Sequence, residues 1–344
     1  MRAMWRHRIM GVIAALSWLT SVGCRRNSPP TTPFSRASVI GQLASSYAGV
    51  SLPSDETPPN VLGYEELVYA HTPSGDLALD LYLPSLPEPR AGSAISAAPV
   101  AIVVHGGGWE RGDRRMERPF AKQLAARGIA AATVSYRLGE AGRFPNALFD
   151  LETAVRWLRA NANRFLIDAA RIGAVGGSAG GHLVALLGVS SGVPALTGGS
   201  GQGGAQLTAD VQAVVDIDGL ADFTGAALLA KEAENPGAPT RFLGGRFAQR
   251  PDVWRLASPI THAGPHSAPT LFIDSAATSG PPRQGAPILP GRAEMRDRLR
   301  AAGVPSDLIV IPGTPHPFWL VNPWFEVVVD KTAAFFNQYL KGAR

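Results

Sequence analysis

The sequence predicts an α/β protein built on a mostly parallel, doubly wound sheet with helices on both faces. Three observations carry that expectation. From Pro99 onward, apolar runs of strand length alternate with stretches of helical periodicity. Val100–Val104 is a continuous apolar run, the pattern of a strand buried on both faces. A Gly-rich turn then joins the strand Arg171–Val175 to a helix running to about Val189, a compact strand–turn–helix unit.

The elements follow in order. Residues 1–23 have the layout of an export signal: a basic stretch, Met1–Arg8, then an apolar one, Ile9–Leu19, too short for a comfortable membrane span. Cys24 is the one cysteine of the chain, so no intrachain disulfide can form. Ser21-Val22-Gly23-Cys24 resembles a lipoprotein cleavage site, with Ser21 where Leu is usual. The expectation is an exported cell-envelope protein lipidated at Cys24, with plain secretion or a retained anchor as alternatives. The membrane would then be met only through that anchor. Residues 24–60, rich in Ser, Pro and Thr without apolar periodicity, read as a linker before a folded body at 61–344.

Glu66–Ala70 and Leu77–Leu83 read as strands joined by a turn at Thr72–Asp76. Glu117–Arg127 reads as a helix, Ile129–Ser135 as a strand, and Ala147–Asn163 as a helix with Leu148, Leu151, Val155 and Leu158 on one face. Val211–Ile217 and Pro269–Ile273 are further strands. Glu294–Ala302 is a helix, Asp307–Ile311 the last strand and Phe325–Leu340 a closing helix. Gly192–Gly204 is a Gly/Ser-rich loop, and 219–266 is the longest insertion, sized for a small lid.

Composition narrows the function classes. Over 344 residues, 45% hydrophobic and 17% charged suit a globular protein with a sizeable core. The pI near 9.6 suggests nucleic acid. However, Arg2, Arg6 and Arg8 of the signal account for much of the charge, and without residues 1–23 the net value falls from +5 to +2 (three Arg removed, no acid). The body carries no basic stripe with interleaved aromatics, which argues against nucleic acid.

Three motifs carry chemistry. Gly176-Gly177-Ser178-Ala179-Gly180 fits G-x-S-x-G between a strand and a helix, the context in which a serine is held on a strained turn as a nucleophile. Alone, the motif also fits a simple Gly-rich turn. His105-Gly106-Gly107-Gly108-Trp109 follows a strand, and its glycines let backbone N–H groups approach a substrate. Gly106, Gly107 and Ala179 are the expected oxyanion donors. A phosphate cradle is the weaker reading, since no G-K-[ST] follows. His316 follows the last strand and is the candidate base. The other histidines fall in the signal (His7), near the first strands (His71), in the two motifs (His105, His182) or before the seventh strand (His262, His266). Trp109 reads as a pocket wall or as core.

Together these motifs resemble the carbohydrate-esterase branch of the hormone-sensitive-lipase-like α/β-hydrolases, which includes acetylxylan, feruloyl and pectin esterase-like enzymes. The resemblance spans about Tyr64 to Leu340. It rests on HGGGW (105–109), SYRL (135–138), FPNALFDLETAVRWLRANA (144–162), RIGAVGGSAGGHL (171–183), DIDG (216–219) and TPHPFWLVNPWF (314–325). It implies the α/β-hydrolase fold and a Ser-acid-His order, with the base after the final strand.

The acid is where the sequence departs. The resemblance implies H-G-x-x-D after the seventh strand, and Thr278 stands where its aspartate is expected. Glu294, at the start of a helix in a Gly-Arg-x-Glu segment resembling that of polysaccharide-esterase homologues, is the first choice. Asp274, Asp218 and Asp216 at strand ends are the others. A helix-start charge and a turn aspartate before Gly219 are the ordinary explanations for Glu294 and Asp218.

The expected function is serine-esterase hydrolysis of short acyl groups on a small-molecule or polysaccharide ester. Trp109, Trp319 and Trp324 would offer flat surfaces to sugar rings, and the mechanism calls for no cofactor or metal. The rivals are a broad small-ester esterase or lipase, a non-catalytic binding protein motivated by the missing acid, and a serine peptidase, for whose usual propeller or large cap the chain has no room.

Overall fold

The structure is a computed structural model that describes residues 34–85, 97–198, 207–276 and 289–341, all within one compact unit, Pro33–Arg344. The export signal, Cys24, Thr278 and residues 199–206 of the Gly/Ser-rich loop lie outside the described residues.

Among the described residues, eight strands form one sheet: β1 (Val61–Thr72), β2 (Gly75–Pro84), β3 (Ala98–Val104), β4 (Ala130–Val134), β5 (Ile167–Gly177), β6 (Ala213–Ile217), β7 (Thr270–Ser275) and β8 (Ser306–Ile311). Their order is β1-β2-β4-β3-β5-β6-β7-β8. The β1–β2 and β2–β4 pairs are antiparallel, and every pair from β4 to β8 is parallel. After β3 the chain steps to one side for β4 and returns to the other side for β5. A topological switch point therefore lies beyond the carboxyl ends of β3 and β5, the crevice in which such sheets bind ligands.

The helices are α1 (Arg36–Leu43), α2 (Arg118–Ala126), α3 (Asn146–Ala160), α4 (Ala162–Phe165), α5 (Ala179–Val189), α6 (Ala226–Glu234), α7 (Ala238–Phe242), α8 (Pro251–Leu256), α9 (Pro259–His262), α10 (Arg292–Ala301) and α11 (Phe325–Phe336). They close both faces of the sheet, and β3 shows why its apolar run is unbroken. Val100, Ile102 and Val104 pack into a layer with Leu148, Leu151 and Val155 of α3 and Leu183 of α5. Ala101 and Val103 pack into the opposite layer with Phe120 and Leu124 of α2 and Val328 and Phe336 of α11. Alternate residues of one strand thus serve two cores.

The linker expected at 24–60 is corrected from Phe34 onward. Ser35 caps α1 by a capping box: its Oγ accepts the Ser38 N–H at 3.2 Å, and the Ser38 Oγ accepts the Ser35 N–H at 2.9 Å. Val39 and Leu43 are buried against the α2–α11 layer. Further on, Ser51 pairs with Asn322, and Lys122 Nζ meets Asp55 at 3.0 Å. The folded body begins near Phe34 rather than at residue 61. The insertion 219–266 folds as four short helices, α6–α9.

Candidate active site

Ser178 stands between the last residue of β5 and the first of α5, with φ 56° and ψ −118°. A non-glycine residue there is strained, and the strain lifts its side chain clear of the sheet edge. The Ser178 N–H is anchored by the carbonyl of Ile217 in β6 at 2.8 Å.

His316, on the loop after β8, accepts from Ser178: its Nε2 lies 3.0 Å from Ser178 Oγ. Its Nδ1 lies 2.9 Å from Asp218 Oδ2. A carboxylate can only accept, so Nδ1 carries the proton and Nε2 is left to receive one. The other oxygen of Asp218 accepts the Ser275 N–H at 2.7 Å. Burial pushes the Asp218 carboxyl up, but the hydrogen bond and charge of His316, the Arg292 charge and the Ser275 N–H outweigh it and hold it below the usual range.

The carboxylate bonded to His316 is therefore Asp218 and not Glu294. Glu294 is exposed in the first turn of α10, where it complements the helix dipole and is not the group bonded to His316. Asp274 is buried and ion-paired to Arg292, with Nε to Oδ1 at 2.6 Å and Nη2 to Oδ2 at 3.0 Å. Asp216 faces away, accepting the Gly219 N–H at 2.7 Å. Asp218 also keeps its turn role: its φ is 49°, the left-handed bend by which the chain leaves β6.

Of the three expected oxyanion donors, Gly106 lies against Ser178 and Ala179 follows it in the chain. Gly106 is so close that a methyl group there would come within 3.2 Å of Ser178 Cβ and 2.9 Å of the Gly177 carbonyl. Gly107 follows with φ 120°, and its carbonyl holds the loop by accepting the Glu110 and Arg111 N–H groups. Ala179 begins α5, where a helix leaves its first N–H groups without internal partners. Among the described residues, the N–H groups of Gly106, Gly107 and Ala179 meet no acceptor in loops or side chains. His105 braces the loop from below: it stacks on Tyr136 at 4.5 Å, its Nδ1 lies 2.8 Å from the Gly106 carbonyl, and burial lowers its pKa to about 4.

Of the three tryptophans expected as sugar platforms, Trp109 and Trp319 are buried. Trp109 is 5% accessible, stacks on Phe242 at 4.7 Å and donates Nε1–H to His182 Nδ1 at 3.1 Å. It pins the oxyanion loop to α7 and α5. Trp319 is 1% accessible and sits edge-on beneath His316, with ring centres 5.2 Å apart. Its ring fills the space over Gly177, where a Cβ would lie 2.2 Å away. Both indoles have chemically specific buried partners, which makes them supports rather than walls. Trp324 is partly buried and packs edge-on against Tyr47 at 5.7 Å.

The BD-FAE family pattern matches residues 79–284, from within β2 to the segment after β7. The chain belongs to the BD-FAE family. The BD-FAE match includes Gly106, Ser178 and Asp218 but ends before His316, so the base rests on the geometry above. Esterase LipC of Mycobacterium tuberculosis is 29% identical over 319 residues, 87% of this chain and 72% of LipC. Versiconal hemiacetal acetate esterase of Dothistroma septosporum is 28% identical over 257 residues, covering 71% of this chain and 72% of that enzyme. Among solved structures, a truncated carbohydrate esterase from gut microbiota superposes with a TM-score of 0.65 at 24% identity, over 83% of this chain and all of the other. This BD-FAE member is a carboxylic ester hydrolase on the α/β-hydrolase fold.

Proposed function

We propose that the protein cleaves short acyl esters of the acetyl type, carried on carbohydrate, through Ser178, His316 and Asp218. The observation that carries the mechanism is the hydrogen-bonded chain from Ser178 Oγ through His316 to Asp218, at 3.0 and 2.9 Å. His316 Nε2 takes the Ser178 proton as Oγ attacks the ester carbonyl. The tetrahedral oxyanion falls to the N–H groups of Ala179, Gly106 and Gly107. The imidazolium, held by Asp218, protonates the leaving alkoxide. Water, deprotonated by the same nitrogen, then releases the acid from Ser178.

The acyl preference is supported by a relative named for an acetate ester, and the carbohydrate by the sequence resemblance at 144–162 and 314–325. The buried state of Trp109 and Trp319 favours a second reading, a broad small-ester esterase, because neither ring is open to a sugar. Hydrolysis of p-nitrophenyl acetate and palmitate, beside acetate release from acetylated xylo-oligosaccharides, separates the two. The expected result is kcat/KM at least ~10-fold higher for acetate than palmitate, release from the oligosaccharide, and background rates for Ser178→Ala. Equal use of palmitate, or no release from the oligosaccharide, sinks the carbohydrate reading. Export with lipid attachment at Cys24 belongs to the same proposal. Its test is whether Cys24→Ser moves the protein from the membrane fraction to the soluble one.

A further inference from the structure

The carboxyl ends of β6 and β7 hold three buried carboxylates, Asp216, Asp218 and Asp274, each under 5% exposed. Among the described residues, one guanidinium reaches into that group: Arg292, the first residue of α10, whose side chain is 3% exposed. All three nitrogens of its fork are engaged. Nε and Nη2 grip both oxygens of Asp274 at 2.6 and 3.0 Å. Nη1 donates to the carbonyls of Gly219 at 2.6 Å and Leu289 at 2.8 Å. Gly219 directly follows Asp218 in the chain. Ser275, which directly follows Asp274, donates its N–H to Asp218 Oδ1 at 2.7 Å. The turn bearing Asp218 is thus tied to Arg292 from both sides.

Three like charges this close cannot all persist in a dry site. Each carboxyl has a different solution. Burial pushes Asp216 to about 7, so near neutrality it holds a proton much of the time. Asp274 is matched by a bidentate guanidinium, the strongest pairing available to it. Asp218 is left ionised toward His316.

We propose that Arg292 is a positioning residue for ester hydrolysis: by neutralising Asp274 and holding the Gly219 carbonyl, it reserves Asp218 as the carboxylate that carries His316. The proposal rests on the Ser178–His316–Asp218 reading. Among the described residues, the titratable and charged groups around Asp218 are Asp216 from β6, Asp274 from β7, Arg292 from α10 and His316 from the loop after β8. Without the guanidinium, Asp274 and Asp218 compete for protons, and Asp218 surrenders charge at a higher pH.

The test is a cycle in the full chain: Arg292→Met, Asp274→Leu and the double variant, each measured for kcat, KM and the pH profile of kcat/KM. Arg292→Met is expected to lower kcat at pH 7 by at least ~10-fold with KM within ~3-fold, and to move the acid limb of the profile up by about one pH unit. The double variant removes both members of the ion pair together, so it also serves if the single variant does not fold. It is expected to recover most of the lost kcat and to return the acid limb toward the wild-type position. An Arg292→Met profile identical to wild type overturns the proposal. So does a folded double variant as slow and as shifted as Arg292→Met, which would mean a purely structural arginine. Asp218→Asn run alongside tells the two failures apart: if that variant is fully active, it is the triad reading that has failed.

Discussion

Asp218 makes one backbone bend serve two purposes. Its left-handed φ turns the chain out of β6, and the same bend aims Oδ2 at His316 Nδ1. Asparagine would keep the size and the bend but offer an N–H where His316 needs an acceptor, favouring the tautomer with a proton on Nε2. Asp218→Asn is therefore expected to cut kcat by about 10³–10⁴ with little change in KM, read from p-nitrophenyl acetate kinetics at neutral pH. The meeting of Ser178 with His316 was legible in the sequence because each is defined locally, by a motif between a strand and a helix and by a place after the last strand. The acid was not. Glu294, Asp274, Asp218 and Asp216 all end a strand or start a helix, and a linear sequence does not say which one His316 swings toward. The decisive facts are tertiary: Arg292 already occupies Asp274, and Glu294 points to solvent. Trp109 and Trp319 misled for a related reason. An indole beside a catalytic loop looks the same as wall or as brace until its Nε1 is seen to meet a buried His182 or Glu117.

At the scale of elements, every strand after Pro99 stands where the apolar runs place it, within one to four residues at its ends. The weak point is α1. Its eight residues bury only Val39 and Leu43, and a helix this short has little stability of its own. Its signal is thus too faint to separate from the Ser/Pro/Thr-rich stretch around it. What makes it a helix is the Ser35 capping box and the layer it lands on, shared with Phe120, Val328 and Trp319. The segment also reaches the site: Phe34 lies beside Gly107, where a Cβ would come within 3.2 Å of its ring. Val39→Ala removes two fully buried methyl groups and is expected to cost roughly 2 kcal/mol. Urea unfolding should show the midpoint falling at an unchanged m-value. If residues 34–60 are instead a loose linker, the midpoint will not move.

Across the whole molecule, the buried acids set how stability follows pH. Glu117 is 2% exposed beneath Trp319, whose Nε1–H lies 3.4 Å from its Oε1. Burial raises its pKa from 4.5 to about 7, against a weaker pull from the Trp319 hydrogen bond and the Arg36 charge. Asp216 is raised from 3.8 to about 7, again first by burial. Below pH ~4 both acids are protonated folded and unfolded, and neither affects stability. Between ~4 and ~7 the folded chain holds protons that the unfolded chain has lost, so stability falls as pH rises. Above about 7 the full cost of two buried charges is present. Asp218, whose pKa is lowered, works the other way: its contribution is present above the unfolded carboxylate value and is lost only as pH falls through its depressed folded value. Glu117→Gln keeps an oxygen for the Trp319 N–H while removing the titration. Its stability relative to wild type should therefore be near its baseline at pH 4 and rise steadily to pH 8, by on the order of 3 kcal/mol for a carboxyl shifted this far. Chemical denaturation at pH 4, 5, 6, 7 and 8 measures that difference directly. A flat difference across the series would mean that Glu117 keeps an ordinary affinity for its proton and that the pocket under Trp319 is wetter than its burial implies.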